Sequence, residues 1–279
     1  MLLIKIILIV VLVLAALYLL AIMPHMTRRP DLTPFTGRYY AHRGLHDNNT
    51  EAPENTLAAF RKAVDAGYGI EMDIQLTKDR IPVVVHDYHL KRLAGKDVRV
   101  NALTLEELQR DYRIYGSEEK VPTLEEVLAL VDGKVPLIVE FKVEGGDLSL
   151  CDVAAPILDK YQGVWCMESF NPLAVNWYRK NRPQVMRGQL SCNYLRGKEP
   201  GYKMLYWVLQ NLLLNFLAKP DFIAYDHHHT DMLSFRLNKI LYKITTVAWT
   251  IKSQEELERA KKWYDLQIFD SFIPTEWTK

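Results

Sequence analysis

Apolar residues are spread along this chain in two ways. From Ile6 to Met23 they form an almost unbroken run, relieved only by the amphipathic Tyr18, and Leu2 to Ile4 extend it beyond Lys5. A helix needs about 20 such residues to cross a bilayer. No small-residue cleavage pattern follows, so the run reads as an uncleaved anchor rather than a signal peptide. Beyond it, short apolar runs alternate with amphipathic stretches. Strand-like runs fall at Tyr39–His42, Gly69–Ile74, Pro136–Phe141, Val164–Glu168, Val185–Leu190, Phe222–Tyr225, Ile244–Trp249 and Leu266–Phe269. Helical patterns fall at Asn55–Ala66, Leu105–Gln109, Leu124–Val131, Leu148–Lys160, Pro172–Asn181 and Ser253–Trp263. Thr123 before Glu125 and Glu126, and Ser253 three before Glu256, mark helix starts.

Parallel neighbours need a crossover helix to return the chain, so eight such runs alternating with helices predict an α/β fold, a TIM (β/α)8 barrel. Its site would lie at the C-terminal ends of the strands. Polar residues stand there in nearly every run: His42, Glu71 and Asp73, Glu140 and Lys142, Glu168 and Ser169, Gln189, Asp226, Trp249, Asp270.

One run breaks the alternation. Ile81–His86 follows Gly69–Leu76 after only Thr77-Lys78-Asp79-Arg80, too short for a crossover, which predicts an antiparallel hairpin inserted in the barrel. A turn centred between Lys78 and Asp79 would set Glu71 opposite His86, on one face. A second segment stands apart. Tyr202 to Ala218 carries an i, i+3, i+4, i+7 apolar stripe bracketed by Lys203 and Lys219, and reads either as a barrel helix or as an amphipathic helix lying on the bilayer.

The division expected is therefore an anchor over 1–25, a Pro-containing spacer over 26–37 and a barrel over 38–279. Arg28 and Arg29 after the anchor, against Lys5 before it, favour a single-pass membrane protein with its catalytic part in the cytoplasm. The 279 residues carry a net charge of +1, with no block of like charge to draw nucleic acid. Cys151, Cys166 and Cys192 lack CxxC spacing and read as packing residues.

Glu71 and Asp73 are two apart on a strand and so share a face. Two carboxylates inside a barrel need a cation, and Glu140 offers a third oxygen ligand from the next barrel strand. All-oxygen ligation suits Mg²⁺ or Ca²⁺; the alternative is an internal salt bridge to Arg43 or Lys142. His42 and His86 are the natural proton-transfer pair. Arg43 would clamp phosphate oxygens and Lys142 add a point charge. Trp249 reads equally as barrel packing or as a wall for the substrate. His227-His228-His229 reads as a loop with at most one histidine facing the site.

His42-Arg43-Gly44, Pro53-Glu54-Asn55-Thr56, Glu71-Met72-Asp73, Thr77-Lys78-Asp79, Val83-Val84-Val85-His86-Asp87 and Glu140-Phe141-Lys142 together resemble the glycerophosphodiester phosphodiesterase family. Ser169-Phe170 and Val247-Ala248-Trp249-Thr250 continue the resemblance more loosely to about Pro274. It implies a TIM barrel with a hairpin insertion that hydrolyses glycerol-linked phosphodiesters in lipid metabolism. It further implies one divalent metal on Glu71, Asp73 and Glu140, and an acid–base pair of His42 and His86. Arg43 and Lys142 would contact phosphate, Phe170 and Trp249 the substrate, and Asn55 and Glu54 would support the site. In the family's favoured mechanism a substrate hydroxyl beside the phosphate attacks first and water opens the cyclic product. The chain departs from the pattern at Tyr264 to Pro274, where the family's glycine and threonine are absent while Asp270 and Pro274 keep their places. A soluble glycerophosphodiester is the expected substrate; membrane lysolipids, hydrolysed in lysophospholipase D fashion, are an alternative that would account for the anchor. An inactive barrel that only binds headgroups is the rival from another class.

Overall fold

The computed structural model describes residues 1–27, 29–197 and 202–275. It begins with helix α1 (Leu2–Ile22), the one described helix long and apolar enough to cross a membrane. Eight strands then close into a parallel barrel: β1 (Tyr40–His42), β2 (Gly69–Leu76), β4 (Leu137–Phe141), β5 (Trp165–Ser169), β6 (Arg187–Ser191), β7 (Phe222–Asp226), β8 (Thr245–Ile251) and β9 (Leu266–Phe269), with β9 paired back onto β1. The short β3 (Pro82–Val84) runs antiparallel on the edge of β2. The predicted TIM barrel is the fold observed.

The alternation along each strand explains the layers. In β4, Leu137, Val139 and Phe141 face the helices and join the outer core, while Ile138 and Glu140 point inward. The outer core packs against α2 (Leu57–Ala66), α5 (Leu124–Val131), α6 (Ser149–Leu158), α7 (Pro172–Asn181), α10 (Leu233–Ile240) and α11 (Gln254–Ala260). The inner cluster, with Tyr40, Met186, Phe222, Val247 and Ile268, fills the N-terminal half of the barrel. Gly188 is required there: a Cβ would lie 2.1 Å from the Phe222 ring. Cys151 and Cys166 are buried in these layers, as packing residues would be.

Between β3 and β4 an insertion carries α3 (Lys91–Ala94) and α4 (Leu105–Asp111), with a small core of its own around Val85, Leu93, Val100 and Leu108. Thr104 and Thr123 form full capping boxes with Glu107 and Glu126. At Ser253 the box is half made, because the Glu256 carboxylate accepts from the Lys252 N–H instead. Helix α10 had no clear periodic signature; its buried side includes the polar Ser234 and Asn238.

Two expectations are corrected. The hairpin pairs Ile74 with Val84 and Leu76 with Pro82, one residue out of the expected register, because Arg80 adopts a left-handed conformation and the loop holds three residues, not two. A one-residue slip exchanges faces, so Glu71 does not oppose His86. The Tyr202–Ala218 segment is two short helices, α8 (Lys203–Gln210) and α9 (Asn215–Ala218), broken where Leu212 turns left-handed and buries its side chain. On either side of Arg28, the expected spacer makes contacts with the barrel. Arg29 donates to the carbonyls of Tyr242 and Lys243, and Phe35 is buried in the inner cluster under the Tyr40 hydroxyl, which donates to its carbonyl. Arg29, counted above toward membrane orientation, is thus used in packing; Arg28 lies outside the described residues, as do residues 276–279 of the expected barrel.

Candidate active site

Parallel register brings the first polar residues together. β1 sets His42 beside Glu71, and β4 sets Glu140 beside Asp73. One oxygen from each of Glu71, Asp73 and Glu140 lies within 4.8 Å of the others. All three are buried, and Glu168, opposite Glu140 on β5, adds a fourth buried carboxylate. Burial and the charges of Asp73, Glu140 and Glu168 push the Glu71 carboxyl well above its ordinary range. Burial likewise raises Glu140, to about 7, with Lys142 opposing and Asp73 adding to the shift. Asp73 moves the other way: despite burial, Lys142, His86 and Arg43 hold it well below the usual value.

The cations stand close. Lys142 Nζ is 2.8 Å from Glu140 and 3.0 Å from Asp73. Arg43 reaches Glu54 at 2.7 Å and Asp73 at 3.4 Å, and its backbone N–H donates to Glu71. The expected phosphate clamp is therefore engaged by carboxylates here, and the salt-bridge alternative for Arg43 and Lys142 is realised in part. It does not satisfy the site. Glu54 also takes two hydrogen bonds from Arg92, and although burial opposes charge, these and Arg43 hold it at about 2. Buried carboxyl groups thus outnumber the cationic side chains beside them. Asn55 Oδ1 is a buried acceptor with no hydrogen bond, while Asn55 Nδ2 donates to Asp73 Oδ2. Three clustered carboxylate oxygens, an excess of acid and the orphaned Asn55 acceptor fit a hard divalent cation on Glu71, Asp73 and Glu140.

The two histidines reach this centre by different routes. His42 ends β1. Its Nδ1 is 3.0 Å from Asp270, and its Nε2 is 3.9 Å from Glu71. A carboxylate only accepts, so Nδ1 carries the proton and Nε2 is left free toward the centre. Burial and Arg43 lower His42 to about 4, against the pull of Asp270. His86 lies beyond the β3 ladder, on a bend. Gln75 Nε2 donates to the carbonyls of Val85, His86 and Asp87, and Asp87 accepts at 2.7 Å from His86 Nδ1. Arg92 binds Asp87 and Glu54 together, tying that bend to the Pro53–Thr56 turn. A 480 Å³ depression lined by His86, Tyr88, Arg92 and Lys142 opens at this point.

Phe170 lies under Lys142, whose Nζ is 5.9 Å from the ring centre, and Trp249 meets Phe170 edge-on at 5.4 Å. The two line the same mouth. His227–His229 form a turn in which Asp226 holds His228 and His229, and His227 faces Glu256 at 3.7 Å. Residues not foreseen are Gln75, Asp270 as the partner of His42, His46 at 3.2 Å from the other Asp270 oxygen, and Arg92. Asp270 stood at a strand end and was legible as polar; Gln75 gave no sign, since a strand glutamine is ordinary.

Residues 42–265 match the model of the glycerophosphoryl diester phosphodiesterase family. The YhdW protein of Bacillus subtilis (strain 168) is 30% identical over 224 residues, spanning 77% of this chain and 86% of its own. A glycerophosphodiester phosphodiesterase of Caldanaerobacter subterraneus subsp. tengcongensis is 28% identical over 234 residues, 80% and 88% of the two chains. Among solved structures, an Oleispira antarctica phosphodiesterase bound to its product sn-glycerol-3-phosphate superposes with a TM-score of 0.66 at 23% identity, covering 85% of this chain and 93% of that one. The fold is thereby shared.

Proposed function

This chain belongs to the glycerophosphoryl diester phosphodiesterase family, a family of phosphoric diester hydrolases, and from that premise we propose that it hydrolyses glycerophosphodiesters to glycerol phosphate and an alcohol in lipid metabolism. The observation that carries this reading is the meeting of three carboxylates, a lysine, an arginine and two oppositely mounted histidines at one end of the barrel.

Glu71, Asp73 and Glu140 would hold one divalent ion, Mg²⁺ or Ca²⁺, with Asn55 bracing Asp73. When bound, that ion would draw charge from a phosphoryl oxygen. Lys142 and Arg43, now in contact with carboxylates, would contact the phosphate. Glu54 keeps Arg43 aimed. Of the histidines, one accepts the proton of the incoming oxygen and the other returns one to the leaving alkoxide; each has its Nδ1 committed to an aspartate and its Nε2 free. Phe170 and Trp249 present apolar edges to the glycerol carbons. The anchor over 1–25 and the barrel over 38–279 complete the proposed organisation, in a single-pass membrane protein.

The test is phosphate-ester release from glycerophosphocholine by the full chain in detergent. Chelation with EDTA should abolish turnover, and Mg²⁺ or Ca²⁺ should restore it. Turnover that survives thorough chelation overturns the metal assignment. Binding of the substrate without any turnover in either metal would favour a silent headgroup-binding barrel instead.

A further inference from the structure

The turn after β7 gathers a second set of metal-ligating side chains, unlike the acidic centre in chemistry. Asp226 ends β7, and His227, His228 and His229 follow in one tight turn. Three consecutive histidines cannot readily share one ion, and the turn divides them. His229 swings back, its Nδ1 3.0 Å from Asp226 Oδ2. His227 and His228 lie ring against ring, centres 3.9 Å apart, and both turn Nε2 toward Glu256. The carboxylate that the local sequence lacks is thus supplied by the first turn of α11. Glu256 Oε2 accepts from the Lys252 N–H at 2.7 Å, which fixes the carboxylate across from the histidines and holds it below its ordinary pKa.

The distances carry the chemistry. His227 Nε2 is 3.7 Å from Glu256 Oε2, and His228 Nε2 is 3.7 Å from Oε1. A hydrogen bond between such atoms reaches only to about 3.2 Å. Neighbouring ligands around a tetrahedral zinc, with bonds of about 2.1 Å, stand about 3.4 Å apart. One ligand atom from each of His227, His228 and Glu256 lies within 4.8 Å of the others. Proton placement agrees. Asp226 Oδ1 is 2.9 Å from His228 Nδ1, and a carboxylate only accepts, so Nδ1 carries the proton and the Nε2 lone pair faces Glu256. A lone pair set against a carboxylate repels it unless a cation stands between. An imidazole held at Nδ1 by a carboxylate is also the usual mount of a zinc-bound histidine. His227 Nε2 lies 3.2 Å from the Thr250 carbonyl as well, to which it can donate; ligation would shift that proton to Nδ1. Burial and the neighbouring His228 lower the pKa of His227, favouring the neutral ring a metal requires.

We propose that His227, His228 and Glu256 form a second metal site, for Zn²⁺, separate from the all-oxygen centre of Glu71, Asp73 and Glu140. Two imidazole nitrogens and a carboxylate are a zinc set, whereas three carboxylates suit Mg²⁺ or Ca²⁺. His228 is 59% exposed, so water can complete the fourth position. The ion joins the β7 turn to α11 across the end of β8, where Trp249 stands in register with Asp226. It thereby braces the rim beside the mouth that Trp249 and Phe170 line. The site goes beyond the phosphodiesterase reading and does not depend on it.

Isothermal calorimetry of the full chain in detergent, with excess Mg²⁺ to occupy the acidic centre, should detect one Zn²⁺ equivalent. His228→Ala and Glu256→Gln should each lose it or bind it about 100-fold more weakly, at least the cost of an outer-shell partner, while His229→Ala keeps it. Co²⁺ in its place should give the strong visible absorption of a four-coordinate ion, absent in His228→Ala. Turnover of glycerophosphocholine with Mg²⁺ should be the same in His228→Ala and wild type. Equal zinc binding in wild type and His228→Ala, no zinc bound by either, or loss in His229→Ala to match His228→Ala overturns the proposal. A fall in Mg²⁺-supported turnover of His228→Ala as deep as that of His42→Ala would place the turn in the catalytic centre and overturn it too.

Discussion

His42 and His86, the proposed proton-transfer pair, are mounted in similar ways from unlike positions. Each gives its Nδ1 to an aspartate, Asp270 or Asp87. His42 belongs to the barrel: it ends a strand paired with both β2 and β9, stands in register with Glu71, and its side chain is 17% exposed. His86 belongs to the insertion: it sits outside any strand, is 34% exposed and takes its aim from Gln75 and an Arg92-linked aspartate. The difference teaches that a barrel fixes one half of the proposed proton-transfer pair through its backbone ladder, while the other half depends on side-chain contacts that water can contest.

The largest test of that contrast is removal of each imidazole. His42→Ala and His86→Ala should each lower kcat by roughly 10²- to 10⁴-fold, the range for general acid–base groups. Steady-state turnover of glycerophosphocholine checks this, and full turnover in either variant would remove that histidine from the mechanism.

A finer test separates the two mounts. Asp270→Asn presents an N–H donor to His42 Nδ1, driving the proton onto Nε2, so kcat should fall by about 100-fold with KM little changed. Asp87→Asn, beside a more exposed ring, should cost less than about tenfold, because water can take the proton of Nδ1. Equal losses would erase the distinction drawn between buried and exposed mounts.

The smallest effect concerns the bend itself. Gln75→Leu removes a donor shared by three carbonyls and should destabilise the fold by about 1–3 kcal/mol. Denaturant unfolding measures that, and kcat should fall with it only in the His86-dependent step. An unchanged midpoint would mean the bend is held by its other contacts.

These contrasts also mark what could be read before the fold was known. β4 announces itself because Leu-Ile-Val-Glu-Phe is apolar throughout, as a strand covered on both faces must be, with the single charge at the mouth. The grouping of Glu71, Asp73 and Glu140 follows from parallel register alone. The hairpin register did not follow, since whether a turn holds two residues or three depends on Arg80 entering the left-handed region, a choice its side chain does not advertise. Nor did the break in Tyr202–Ala218: an apolar stripe at helical spacing reports which residues seek burial, not that Leu212 satisfies this by leaving the helix. Asp270 was visible as a polar strand end, yet its partner lay at the opposite end of the sequence. Glu168, a fourth acid without a hydrogen bond at Oε2, was legible as polar and remains without an assigned part.

The closing pair of strands has a consequence for how the molecule comes into being. His42 and Asp270 are 228 positions apart, and β1 meets β9 only after every intervening unit has been threaded. Bringing chain ends so distant together costs about 5 kcal/mol in loop-closure entropy unless the units between have already folded. On a chain still being synthesised, the carboxylates of β2 and β4 exist well before their histidine has its aspartate. Nascent or truncated molecules thus carry the acidic centre without the aspartate that orients His42.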